Sequence, residues 1–190
     1  MTVQDVTARS KPETPTADLR APAIAQDIVQ RETPADAAAV DALVMAAFGP
    51  GRYAKTAERL RENAGLAAGF VSREGGRIIG SVRLWHVTVG DVAALFLGPI
   101  TVGTANRRAG LGADLVAACI AEARIQSMGG QGDAGGGVAG ILLVGDAGYF
   151  ERFGFAEALQ ARLPGPVDRR RVLWLSIKGS PPEGLVRGAI

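Results

Sequence analysis

Between Leu66 and Val102 three apolar runs, LAAGFVSR, RIIGSVRLWHVTV and VAALFLGPITV, are parted only by EGG and GD. Gaps that short leave no room for a crossover, so neighbouring runs must fold back on one another as antiparallel strands. Gly90 at the first position of a two-residue turn suits a type II′ hairpin that pairs Val89 with Val92. Pro99 cannot donate to a ladder, so it interrupts or bulges the third run near Gly98. The next stretch behaves differently. ADLVAACIAEARIQS places Leu115, Val116, Cys119, Ile120 and Ala123 on one helical face, and ILLV at 141–144 reads as a buried strand beyond it. A strand, a crossover helix and a strand over residues 93–144 demand a parallel pairing. The expected fold is therefore α/β, with a mixed, mostly antiparallel sheet flanked by helices.

The remaining segments add to this frame. A short strand is expected over Ile28–Arg31. TPAD then starts a helix, with Thr33 as cap, Pro34 at the first position and Asp36 reaching back. That helix runs to Phe48 with Val40, Leu43, Val44, Ala47 and Phe48 on one face, and GPG at 49–51 stops it. A shorter helix spans Lys55–Asn63. The glycines of 129–140 make a loop, Asp146 caps a short helix that Gly154 ends, and RVLWLSI at 171–177 is the closing strand. Residues 1–27 lack periodicity and bulky apolar groups and read as a loose leader, leaving 28–190 as one domain.

Composition narrows the function classes. Lys and Arg number 21 against 19 Asp and Glu, too even a balance to point to nucleic acid or a membrane surface. No apolar run approaches the roughly 20 residues that span a bilayer. One cysteine, Cys119, allows no internal disulfide and no cysteine-based metal site, so a reducing cytoplasm is expected and no metal is.

The chemistry concentrates at RRAGLG, Arg107–Gly112, where a strand gives way to a helix. A helix N-terminus offers unpaired N–H groups and about half a positive charge, which together make a phosphate site. Two arginines there are unfavourable beside the dipole unless an anion compensates. Gly110 and Gly112 allow a pyrophosphate to approach the amides of 108–113. A dinucleotide fingerprint fails, since Leu115 stands where a third glycine belongs, and a Walker A loop fails for want of Gly-Lys-Ser/Thr.

VGTANRRAGLGADLV resembles the acetyl-CoA pyrophosphate loop of the GNAT N-acetyltransferase superfamily, whose R/Q-x-x-G-x-G/A pattern is met by Arg107, Gly110 and Gly112. ILLVGDAGYFERFGF is similar to the following strand and helix of that superfamily, particularly a compact bacterial branch with GDPAYY..FGF. The resemblance covers residues from about Ile28 to Ile177. It implies a GNAT-type fold and an acetyl-CoA-dependent transfer to a primary amine, of a small molecule or a protein, by direct attack in a ternary complex.

The implied contacts to acetyl-CoA are Ile100, Thr101, Val102, Arg107, Arg108, Ala109, Gly110, Leu111, Gly112, Ala113, Asp146, Tyr149, Phe150 and Arg152. In that family one strand parts from its parallel neighbour, which makes the backbone N–H groups of Ile100 and Val102 the implied oxyanion donors. The tyrosine that protonates the leaving thiolate in many members falls at Phe150, which has no proton to give. Tyr149 is next in sequence but points about 100° away on a helix, so it either substitutes for that acid or is a packed aromatic.

No base stands out. His86, the only histidine, lies on a strand, where a half-buried neutral role competes with catalysis. Glu74 and Asp91 sit in turns, and RRR at 169–171 is either a solvated cluster or a substrate-attracting one. Alternative readings are a catalytically weak or inactive acyl-CoA-binding module, and an acyltransferase for longer chains. A monomer or a homodimer is expected.

Overall fold

A computed structural model describes residues 29–104, 110–129 and 137–190. The loose leader, Arg107, Arg108 and Ala109 of the phosphate loop, and most of the glycine-rich loop lie outside the described residues.

The described residues begin with strand β1 (Val29–Arg31) and a single 3-10 turn (Pro34–Asp36) that leads into helix α1 (Ala37–Phe48). Asp36 does reach back: its Oδ2 accepts from both the N–H and the hydroxyl of Thr33, each at 2.9 Å. A second 3-10 segment (Pro50–Ala54) connects to α2 (Thr56–Glu62). The meander follows as β2 (Leu66–Glu74), β3 (Arg77–Val89) and β4 (Val92–Val102). Val89 faces Val92 across the turn. Gly90 has φ 58° while no non-glycine residue described has positive φ, which fits a II′ turn and excludes I′.

Helix α3 (Leu111–Met128) crosses over the sheet to β5 (Gly140–Val144), which runs parallel to β4. Short α4 (Ala147–Phe150) ends in a 3-10 turn closed by Gly154 at φ 89°. Then come β6 (Ala156–Glu157), β7 (Ala161–Arg162), β8 (Val172–Ser176) and β9 (Gly184–Gly188). The strand order is β1-β2-β3-β4-β5-β8-β6, with β9 pairing the far end of β3 and also β7. The strand at 172–176 is therefore not the last. Its successor, GLVRG, is too rich in glycine to announce a strand, and its pairing with Val87–Val89 is a tertiary effect.

Alternation along the central strands feeds two apolar layers. Leu95 and Leu97 of β4 join Ile141 and Leu143 of β5 beneath Leu115, Val116, Cys119 and Ala123 of α3. Ala94, Phe96 and Leu142 face the other way, with Leu60 of α2, Trp174 and Val186. Helix α1 covers Val71 with Val40 and Val44, as its periodicity predicts. Ala47 and Phe48 of the same predicted face are instead exposed, Phe48 to 44%, and Phe48 lines a cleft.

Candidate active site

The cleft originates in an irregularity of β4. Ala93 turns its carbonyl to Ala139 N–H at 2.8 Å, so the odd-numbered residues of this stretch face β5, and the parallel pairing runs from Leu95 to Leu97. Against β3, the register jumps from Leu84↔Leu97 to Val82↔Ile100, placing Gly98 and Pro99 opposite Arg83 as a bulge. The bulge changes the parity. Gly103 N–H donates to Ile79 at 2.8 Å, which makes Ile79↔Gly103 a hydrogen-bonded pair and turns the backbone groups of Val102 and Ile100 away from β3. Those groups face the side on which β5 no longer pairs. Pro99, which has no N–H to leave exposed, occupies the point of separation.

A cleft of about 370 Å³ opens at this wedge. Leu97, Gly98, Pro99 and Ile100 form one wall, and Leu143, Val144, Gly145 and Asp146 the other. Phe48, Arg52, Lys55 and Arg61 close it from the α1–α2 side, and Arg171 and Phe150 from the opposite side. A recess of about 280 Å³ adjoins it, sharing Arg52, Arg61 and Pro99 and adding Tyr53, Glu58, Arg83 and Trp85. Trp85 Nε1 donates to the carbonyl of Gly98 at 2.6 Å, fixing the bulge from below.

The structure separates the two aromatic residues of GYF. Phe150 is buried and faces the cleft, its ring set against Gly145, where a Cβ would lie 2.5 Å from Phe150 Cε2. Tyr149 is directed to the first turn of α3, where a Cβ on Gly112 would lie 2.8 Å from its hydroxyl. Arg152 stacks on Tyr149 with 4.2 Å from its guanidinium carbon to the ring centroid. Asp146 lines the cleft and caps α4, its Oδ1 accepting from Gly148 N–H at 2.9 Å.

Gly110 precedes α3 at φ 120°, a conformation reserved for glycine, and a Cβ there would meet no atom within 4 Å. Leu111 is buried in the core, whereas Gly112 and Ala113 sit half-buried in the first helical turn. Thr101 is buried between the outward-turned Ile100 and Val102. Of the expected set, Ile100, Asp146 and Phe150 line the cleft, while Tyr149 meets Gly112 at the start of α3.

Three groups with acid–base chemistry have different surroundings. His86 lies against Gly65 and β9 and lines neither the cleft nor the recess. Cys119 is buried on the inner face of α3, where burial pushes its thiol far up and out of reach of nucleophilic chemistry. Glu58 is the carboxylate that sequence reading missed. Burial pushes its pKa up, but hydrogen bonds from Arg61 and Arg52 and their charges outweigh this and hold it below the usual range. A carboxylate so held is a weak base.

No family model matches the chain. The uncharacterized N-acetyltransferase YhbS of Escherichia coli (strain K12) is 30% identical over 145 residues, covering 73% of this chain and 81% of that relative. The crystal structure of the Escherichia coli GNAT family N-acetyltransferase YhbS in complex with CoA superposes with a TM-score of 0.68, at 26% identity over 85% of this chain and 89% of the other. A GNAT family acetyltransferase from Brucella melitensis in complex with acetyl-CoA gives 0.61, also at 26% identity, over 85% and 95% of the two chains. A sheet that opens beside a bulged central strand and a relative that covers this much of the chain agree with one another: the chain belongs to the GNAT family of N-acetyltransferases.

Proposed function

We propose that the protein transfers an acetyl group from acetyl-CoA to a primary amine by direct attack within a ternary complex. The observation that carries this reading is the wedge between β4 and β5, with the N–H groups of Ile100 and Val102 turned into it. When bound, acetyl-CoA supplies an activated thioester and a thiol leaving group. Arg107, Arg108, Ala109, Gly110, Leu111, Gly112 and Ala113 hold its diphosphate end in this reading, assisted by Tyr149 and Arg152 beside Gly112. Ile100, Thr101 and Val102 line its linear arm opposite Asp146 and Phe150. Ile100 N–H serves the carbonyl oxygen that gains charge during attack.

The nitrogen lone pair forms the C–N bond, the C–S bond breaks, and the amine's proton leaves in exchange for the one the thiolate gains. Phe150 gives the sulfur no proton donor, and the orientation of Tyr149 supports a role at the diphosphate rather than at the sulfur. Proton removal is assisted electrostatically. Arg52, Lys55, Arg61 and Arg171 face the cleft against Asp146, with Glu58 behind, and this excess of cations favours the neutral amine over the ammonium. Water then carries the proton away. A cytoplasmic location accompanies this reading, supported by a lone, buried cysteine, and among the described residues no helix is long and apolar enough to cross a membrane.

Thiol release from acetyl-CoA across a panel of amines tests the proposal, with turnover expected. Gly110→Val, which forces a β-branched residue into positive φ, is expected to cost about 1–3 kcal/mol of cofactor binding, about five- to 150-fold in affinity. The absence of a proton donor at Phe150 favours one second reading, a CoA-binding module without chemistry. Binding of CoA with no thiol release from any amine would establish it.

A further inference from the structure

The α1–α2 wall of the cleft carries positive charge that the described residues balance only in part. Glu58 lies between two guanidiniums, accepting from Arg52 Nη2 at 2.7 Å through one oxygen and from Arg61 Nη2 through the other. The three side chains are 14%, 12% and 11% exposed in the order Arg52, Glu58, Arg61, so one carboxylate serves two nearly buried cations. Arg61 Nε is buried and has no hydrogen-bond partner among the described residues. Its Nη1 reaches the bulge, 3.4 Å from where a Cβ on Gly98 would stand. Lys55 and Arg171 line the same cleft, whereas Asp146, the carboxylate among its described lining residues, is engaged in capping α4. The neighbouring Arg83 forms a contrast, because Glu32 and Asp41 both bind it and leave it no excess charge.

A fold gains nothing by retaining an under-neutralised, nearly buried arginine pair with an idle N–H, because desolvated charge and unmade hydrogen bonds both cost free energy. That cost is recovered when an anion enters, and guanidinium forks suit carboxylate and phosphate equally. We propose that the acceptor amine carries an anionic group of its own, a carboxylate or a phosphate, which docks on Arg61 and Arg52 at the α2 wall and so presents the nitrogen to the wedge at Ile100. This rests on the acetyl-transfer reading above. The anionic group is not altered in the reaction. It neutralises the arginine pair and leaves Lys55 and Arg171 as the cations that favour the neutral amine, while the recess beside Trp85 and Tyr53 has room for the rest of the acceptor.

Calorimetric titrations of the protein, with and without coenzyme A, provide the test, using matched probes: free amino acids against their amides, and phosphoethanolamine against ethanolamine. The anionic member of at least one pair is expected to bind about tenfold or more tightly than its neutral partner. Which pair discriminates tells carboxylate from phosphate. Arg61→Gln, which keeps a donor for Glu58, should abolish the discrimination, and Lys55→Gln, at an exposed position that cannot disturb the core, should reduce it. Equal binding within both pairs, preference for the neutral members, binding by none, or discrimination unaffected in both variants overturns the proposal. Thiol release measured in parallel keeps the two readings apart. Discrimination in binding without release defeats acetyl transfer and leaves the anion site standing, whereas efficient turnover of neutral amines alone does the reverse. A loss of kcat in Arg61→Gln that is equal for acid and amide, with their relative binding unchanged, would confine Arg61 to the electrostatic support of amine deprotonation and count against the anion site.

Discussion

Gly112 and Tyr149 compete for one small volume. A methyl group at 112 would sit 2.8 Å from the Tyr149 hydroxyl, and the ring has little room to retreat, being packed edge-on to Phe150 at 4.9 Å and covered by Arg152. Gly112→Ala is therefore expected to lose through overpacking what it gains in helix propensity, while in a Tyr149→Phe background the same change should be more favourable by about 1 kcal/mol or more. Urea denaturation of the double-mutant cycle measures this coupling. Asp36 offers a different handle. Hydrogen bonds from Arg73 and from Thr33 lower its pKa from 3.8 to about 2, so the folded state holds a proton less readily than the unfolded chain. The resulting stability is present above about pH 4 and drains away as the pH falls toward 2. Asp36→Asn should flatten that part of the pH–stability profile, seen as a difference from the parent protein in acid-range denaturation. The sequence marks Gly110 and Gly112 for the approach of an anion, whereas the positive φ at 110 and the Tyr149 hydroxyl against 112 belong to the fold. Arg52, Glu58 and Arg61 could not be read beforehand, since they come from a 3-10 turn and a seven-residue helix whose shared orientation toward Gly98 exists only once α2 has docked. The i, i+3 spacing of Glu58 and Arg61 was the one visible hint.

Strand β4 combines two functions in eleven residues. Its first half is an ordinary core strand, and beyond the bulge its outward amides are released from β5. Replacing Ile100 by proline removes one such N–H at a site where β3 does not need it, so the fold should persist by circular dichroism while kcat falls by about 10²–10³, the usual loss for an oxyanion donor. Unchanged turnover would shift that role to another group. The meander, the crossover and the parallel pair were all legible, because short gaps forbid crossovers and long ones with helical periodicity require them. Pro99 also announced the bulge. The two-residue strands β6 and β7 were not legible, being shorter than any period they could display, and β9 was hidden by its glycines.

The C-terminal segment shows how distant parts of the chain depend on one another. After β8 the chain returns across the molecule to pair β9 with β3, burying Val186 against Val87 and Val89 and bringing Gly188 to the backbone of Asn63 just after α2. Val186→Ala should therefore cost about 2 kcal/mol in chemical denaturation, and, because β9 borders α2, it should also loosen the wall that bears Arg61. The unpaired margin of β4 has a consequence of another kind. A sheet interrupted at its centre holds together less firmly than a closed one, and a guest laid along the gap completes it, adding about 2.7 kcal/mol at a hundred times its dissociation constant. Occupancy and endurance then become the same quantity, so that a cell short of coenzyme A would lose this enzyme to its proteases sooner than a well-fed one.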